Sequence, residues 1–440
     1  MYTEETKKLI GFLEKSTDCF HAADNIAAIL AQSGFERLYE NKKWSLQPGG
    51  KYFVMRNLSS VIAFKMPQGI PEGIMIAAAH SDSPAFKIKP NPETDTEHHY
   101  IRLNTEGYGG MIDYTWLDRP LAVSGKLAVK TDYGIETKLV KIDRDLLLIP
   151  SLCIHMNGGV NKGYNFNHQR DLLPLYGSEP GGFLKEVAAA ANVTADDIAG
   201  YDLFLYNRAP GSIWGENNEY FSSARIDDLQ CAYSAVRGIT EAEETSSLQM
   251  AAIFDNEEVG NCTKQGAVSD FLQNTLERIF LNFSREDYMC AIANGFMLSA
   301  DNGHAVHPNM TEKSDPTNRP YPNGGIVIKY NANQKYTTDS VAEALVKALC
   351  DNSDIPYQCF ANRSDMGGGT TLGNSSNTKV SLNTADIGLA QLAMHSSYET
   401  AGVKDTYYMI KLMREFFNTD IKAEDDSRIM INTKSKLKFI

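Results

Sequence analysis

The residues of this chain that can do chemistry stand directly behind apolar runs. GIMIAAA (Gly73–Ala79) is followed by His80-Ser81-Asp82, and LQMAAIF (Leu248–Phe254) by Asp255-Asn256-Glu257-Glu258. GFMLSA (Gly295–Ala300) is followed by Asp301-Asn302-Gly303-His304. Met394-His395, with Glu399 beyond, follows a run near Ile387, and Asp227-Asp228 opens a helical stretch just past a loop. Carboxylate oxygen with imidazole nitrogen suits zinc, cobalt or manganese and requires no thiolate. The carboxylates are too many for one catalytic zinc. Two divalent ions about 3.5–4 Å apart, sharing one carboxylate, accommodate them, and two cations offset the repulsion among the acids.

Each group alone has a plainer reading. His80-Ser81-Asp82 would pass as an ordinary loop pair, and Glu257-Glu258 as a solvated turn. Asp227 suits a helix start, where the dipole favours a carboxylate. Asp301, His304 and His307 share a metal-like spacing, but His307-Pro308 reads as a loop. Asp365-Met366-Gly367-Gly368-Gly369 lacks the Gly-Lys-Ser/Thr ending of a phosphate loop. Joint occurrence at successive strand ends favours the metal reading, because ligands of α/β sheets gather beyond the carboxyl ends of the strands.

The elements that must position these residues follow from periodicity. Glu4–Leu13 and Ala22–Leu30 repeat apolar residues at three and four, as helices do. Lys51–Met66 reads as strands, and Gly73–Ala79 as a buried strand. From Lys89-Pro90-Asn91-Pro92 to about Phe221 the text is rich in strands and turns, with one helix over Gly182–Ala191. Helices and strands then alternate. Asp228–Glu241, Asp270–Phe280, Ser340–Cys350 (Ser340 as N-cap) and Val403–Phe417 read as helices. Leu248–Phe254, Gly295–Ala300, Gly325–Tyr330, Tyr357–Ala361 and Ala385–Ile387 read as strands. The simplest architecture is an α/β domain from residues 1–90 and 222–440, with a β-rich domain inserted over 91–221.

Composition narrows the class. The chain has 440 residues, 42% hydrophobic and 22% charged, enough for a large core and unlike a disordered or disulfide-stapled chain. Its net charge of −13 lacks the basic footprint of a nucleic-acid binder or of a protein built for an anionic membrane surface. No stretch approaches the roughly 20 apolar residues that span a bilayer. The seven cysteines are scattered without a C-x-x-C pair, and MYTEETKKLI shows no signal-peptide pattern. These features predict free thiols in a reducing compartment and a cytoplasmic protein.

The strings AAAHSDSPAFKIKPNP, IHMNGGVNKGYNFN, SARIDDLQCAYSA, FDNEEVGNCTKQGA, SADNGHAVHPN and DIGLAQLAMHSSYETAG lie in order along the chain. With them it resembles the aspartyl aminopeptidase family of dinuclear zinc metallopeptidases. The resemblance implies a split α/β/α catalytic domain of the zinc-exopeptidase kind, with an inserted dimerisation or lid domain. It implies dimers that assemble into a tetrahedral dodecamer and act on peptides. By the same resemblance, His80 and Asp301 ligate one metal, and Glu258 and His395 the other. Asp227 bridges both, although Asp228 beside it leaves room for a slip of one. Glu257 occupies the general-base position and Asp82 orients His80. His155 is lent by a neighbouring subunit, and Lys329 meets an acidic substrate side chain. The implied cofactor is a pair of divalent ions, zinc first and cobalt or manganese as alternatives. The implied reaction is removal of N-terminal Asp or Glu. Two other readings stay open: the same chemistry with neutral or broad preference, and a non-catalytic assembly protein on the same fold.

Overall fold

The computed structural model describes residues 1–425 and 427–432. The three apolar runs form neighbouring parallel strands in a large mixed sheet. Leu248–Phe254 lies beside Ile74–His80, which lies beside Phe296–Ala300, which lies beside Asn383–Leu392. Successive side chains of a strand point to opposite faces. Here Met75, Ala77 and Ala79 enter one core, while Ile74, Ile76 and Ala78 enter another. A strand buried on both faces reads as an unbroken apolar run, which is why GIMIAAA does not alternate.

Helices cover both faces. Tyr2–Lys15, Cys19–Gln32, Ile226–Glu241, Ser340–Asn352 and Asp405–Phe417 fill the first core with residues such as Leu13, Ile26, Leu229, Leu349 and Phe416. Phe271–Ile279 and Arg285–Ala293 pack Phe271, Leu276 and Ala291 into the second. The result is an α/β/α sandwich, in line with the α/β domain read from the alternation of helix and strand and with the layering that the resemblance implied.

A second, six-stranded antiparallel sheet is built within residues 85–207. Its core holds Phe86, Leu103, Trp116, Leu127, Phe183 and Leu203. Its first strand, Ala85–Thr96, crosses Pro90-Asn91-Pro92 through a register shift between Ile88 and Glu93. A bulge lets a strand absorb a proline that cannot donate to the ladder. The smaller sheet therefore starts before the composition shift. Beyond it, Ser212–Trp214 and Tyr220–Ser223 pair into the large sheet.

Three local expectations differ from the structure. Asp339, not Ser340, caps the helix after it, accepting the N–H groups of Val341 and Ala342. The strand expected over Ala385–Ile387 runs over Asn383–Leu392. Its polar members hid its length: Asp386 is buried and accepts hydrogen bonds from Thr337 and Thr371. The helix Arg285–Ala293 was not expected; it is nucleated by a capping box between Ser284 and Asp287 rather than by an apolar stripe.

Among the described residues no helix is long and apolar enough to cross a membrane.

Candidate metal centre

The parallel register brings the chemistry to one edge. His80 pairs with Phe254, so Asp255 through Glu258 leave the sheet beside it. Ala300 pairs with Ile387 and the Asp301 N–H donates to the Ile387 carbonyl at 3.0 Å, which fixes Asp301 on the other side of His80. Gly388 is required there, because a Cβ would stand 1.9 Å from the Asp301 carbonyl oxygen. Asp227 comes from the first turn of Ile226–Glu241, where the Asp227–Asp228 peptide bond is cis. His395 lies in the turn that joins Asn383–Leu392 to Glu399–Gly402.

Asp227 stands between the two histidines. Its Oδ1 is 3.6 Å from His80 Nε2, and its Oδ2 is 3.5 Å from His395 Nε2. His80 Nε2 also lies 4.0 Å from Asp301 Oδ1, and His395 Nε2 lies 3.4 Å from Glu258 Oε2. Three trios each hold their ligand atoms within 4.8 Å of one another: His80, Asp227 and Asp301; Asp227, Glu258 and His395; and His80, Glu257 and Glu258. Asp228 points elsewhere and accepts the His80 backbone N–H at 3.2 Å.

Hydrogen bonds behind these side chains set their directions. His80 Nδ1 donates to the Asp82 carbonyl at 3.0 Å and lies 3.4 Å from the Asp82 carboxylate. That carboxylate also accepts the N–H groups of Glu257 at 3.1 Å and Glu258 at 3.2 Å. Glu399 accepts the N–H of Asp227 at 3.0 Å and of His395 at 2.8 Å. His395 Nδ1 donates to the Gly110 carbonyl at 2.6 Å. In both imidazoles the Nδ1 proton is engaged and Nε2 faces the carboxylates, the tautomer a metal ligand needs.

The electrostatics suit cations. Burial raises Glu257 to about 8, with repulsion from Asp301, Asp82 and Asp227 adding to it against His80. Burial likewise lifts Asp301 to about 6 despite Lys329 nearby, and Glu399 to about 8 beside Asp227. Burial opposes charge on His395, yet Asp227 and Glu258 raise it to about 10. Asp227 is driven the other way: burial favours its neutral form, but His395 and His80 hold it ionised. Asp227 Oδ1 and Glu258 Oε1 are buried without hydrogen-bond partners. A buried acceptor left unpaired costs about 1–3 kcal/mol, more when charged. Oxygens and imidazole nitrogens so placed fit a divalent metal of a kind that takes mixed N/O ligands.

Of the residues singled out in the sequence, His80, Asp227, Glu257, Glu258, Asp301 and His395 converge, with Asp82 directly behind. Lys329 is 2% exposed, so it is not a solvent-facing strand lysine. Its Nζ donates to the Asn302 carbonyl at 2.8 Å and lies 3.7 Å from Asp301 Oδ2, which keeps it charged despite burial. His155 is exposed in the smaller domain and belongs to none of the three trios. His304 packs its ring against Phe360, with centroids 6.3 Å apart, and His307 is exposed. The sequence reading gave no role to Glu399 or Gly110. Glu399 offered a faint signal, an acid four residues past a candidate ligand. A backbone carbonyl offers none.

The family profile described as aminopeptidase I zinc metalloprotease (M18) matches residues 12–417. A probable M18 family aminopeptidase 2 of Clostridium novyi (strain NT) is 46% identical over 423 residues, spanning 93% of this chain and 98% of that protein. Among solved structures, the cryo-EM structure of the Ape4 and Nbr1 complex aligns with a TM-score of 0.92 at 32% identity, covering 95% of this chain and 86% of that one. The S. cerevisiae mApe1 dodecamer aligns with a TM-score of 0.84 at 28% identity, covering 94% and 97%.

Proposed function

Because the chain belongs to the M18 family of aminopeptidase I zinc metalloproteases, we propose that it is a dinuclear zinc aminopeptidase that removes N-terminal Asp or Glu from peptides. The observation that carries this reading is the Asp227 carboxylate, with one oxygen toward His80 and the other toward His395. In this reading His80 and Asp301 hold one ion, Glu258 and His395 the other, and Asp227 both. Cobalt or manganese would suit the same ligands.

Zinc, when bound, supplies Lewis acidity and a water that ionises near neutral pH. Glu257, which shares a loop with Glu258 but is left out of the two ligand sets, takes a proton from the attacking water. It then returns one to the leaving amine. Asp82 holds both glutamates by their backbone N–H groups, so base and ligand keep a fixed relation. His155 is exposed within its own chain. It would act by donating to the developing oxyanion of a neighbouring subunit's site, which joins this reading to dimers and a tetrahedral dodecamer. Residues 1–90 with 222–440 would then be the catalytic domain, and 91–221 the dimerisation and lid domain. The seven free thiols support a cytoplasmic setting.

Lys329 carries the acidic preference. An ammonium has three donors, of which one goes to the Asn302 carbonyl, while Asp301 stands as an ion-pair partner at 3.7 Å. A donor is left for a substrate carboxylate, and leaving a buried cation short of a partner disfavours neutral side chains. A broad preference is the second reading, favoured by how far Lys329 is already engaged. Turnover of Asp-, Glu- and Leu-anilides with added zinc, cobalt or manganese separates the two. Lys329→Ala is expected to lower kcat/KM for the acidic substrates about tenfold more than for Leu. Equal loss on all three would remove the lysine from specificity.

A further inference from the structure

We propose that Tyr108, Gly109 and Gly110, three successive residues of the smaller domain, are positioning residues for the metal centre, so that the seating of that domain sets how tightly the centre holds its ions. The inference rests on the dinuclear reading above and extends it to residues that offer no ligand side chain.

Tyr108 ends the strand Tyr100–Tyr108, and each of the three residues meets a different part of the centre. The Tyr108 hydroxyl donates to Asp82 Oδ2 at 2.6 Å and accepts from Asn256 Nδ2 at 2.7 Å. It thereby completes the set of donors on the carboxylate that stands behind His80, Glu257 and Glu258. Burial beside Asp82 and Asp255 keeps the phenol protonated, so it remains a donor. Gly109 has φ of +72°, and a Cβ there would stand 3.1 Å from Glu258 Cβ. The backbone is thus laid directly against that glutamate. The Gly110 carbonyl takes the Nδ1 proton of His395.

The same domain grips the His395 turn at further points, among them Thr115, which accepts the Ser397 N–H at 2.9 Å. The Ile112 N–H donates to the His395 carbonyl at 3.0 Å, and Asn207 Nδ2 to the Ser397 carbonyl at 2.9 Å. His395 itself has φ of +66°, a left-handed conformation that is uncommon for a residue other than glycine. A domain present only to contact other subunits would ask nothing of these positions. Partners behind metal ligands fix ring orientation and ligand basicity, and their loss typically weakens affinity or activity about 10–100-fold.

The test is Tyr108→Phe in the full-length protein. The substitution keeps the ring against Phe204, at a centroid distance of 5.5 Å, and removes only the hydroxyl. Zinc affinity is read by competition with a chromophoric chelator, kcat and KM on one anilide substrate, and thermal unfolding on the metal-free protein. Zinc affinity and kcat are expected to fall about tenfold or more, with KM and the metal-free unfolding midpoint little changed. Gly109→Ala is expected to lower zinc affinity likewise. Zinc affinity and kcat both within about twofold of the parent would overturn the proposal, since the loss of a working partner costs more than that. A drop that merely tracks lost metal-free stability would overturn it too. If the unsubstituted chain takes up zinc normally, either result counts against this inference alone. No zinc uptake by the unsubstituted chain would remove the dinuclear reading and this inference together.

Discussion

The two histidines of the centre are held in opposite ways. His80 is the last residue of a central strand, 1% exposed, and its ring is oriented by Asp82 two residues on. His395 stands in a turn with its side chain 32% exposed, and its ring proton goes to Gly110, 285 residues away in the chain. One half of the site is carried by the sheet and oriented by a near neighbour in the chain, with the smaller domain reaching only the carboxylate behind it through Tyr108. The other half takes its ring partner from the smaller domain. The difference separates what local sequence specifies from what requires two domains to meet, and it implies that the His395 side is the easier one to loosen.

The largest expected effect falls between the halves and should spare both. Glu257→Gln removes the proposed base without touching a proposed ligand. Turnover is expected to fall roughly 10²–10⁴-fold while zinc content stays at the parental level. Parental turnover in that variant would take Glu257 out of the mechanism.

A smaller effect should separate the halves. Asn207→Ala deletes one buried hydrogen bond from the smaller domain to the turn that holds His395. At about 1 kcal/mol for the bond, roughly a fivefold faster loss of one zinc is expected on dialysis against a chelator, with the other unaffected. Loss of both ions at equal rates would mean that the halves are not independently supported.

The smallest effect concerns the acids that both halves share. In the metal-free protein Glu257 and Glu399 are raised to about 8, and Asp301 to about 6, so the folded chain binds these protons more tightly than the unfolded chain does. Their stabilising contribution is complete below their ordinary values near 4 and is lost as pH rises toward 8. His395, raised to about 10, acts in the same direction above its ordinary value. Asp227 is lowered, so its contribution is lost only in acid. The metal-free unfolding midpoint is therefore expected to decline between about pH 4.5 and 8, and the zinc-loaded protein to show a flatter profile. A metal-free midpoint that climbs over that window would contradict the crowded-acid description.

The same contrast explains what the sequence made legible. GIMIAAA, LQMAAIF and GFMLSA marked buried strands because both faces are covered, and their last residues pointed to the site because parallel strands share an edge. Which of Asp227 and Asp228 faces both histidines was not decidable from their adjacency; the fold turns Asp227 toward the rings and Asp228 toward the His80 backbone. The support of His395 was hidden for a different reason. It comes from the Gly110 carbonyl, from the Ile112 N–H and from an asparagine on another sheet, and backbone groups carry no residue-type signal. Lys329 was visible as a cation on a strand, but its burial against Asn302 and Asp301 came only with the packing.

Crystals of the zinc-loaded protein, measured on both sides of the zinc absorption edge, address the central claim most directly. Two anomalous peaks are expected, one between His80 and Asp301 and one between Glu258 and His395, with Asp227 reaching both. A single peak, or peaks away from Asp227, would contradict the account.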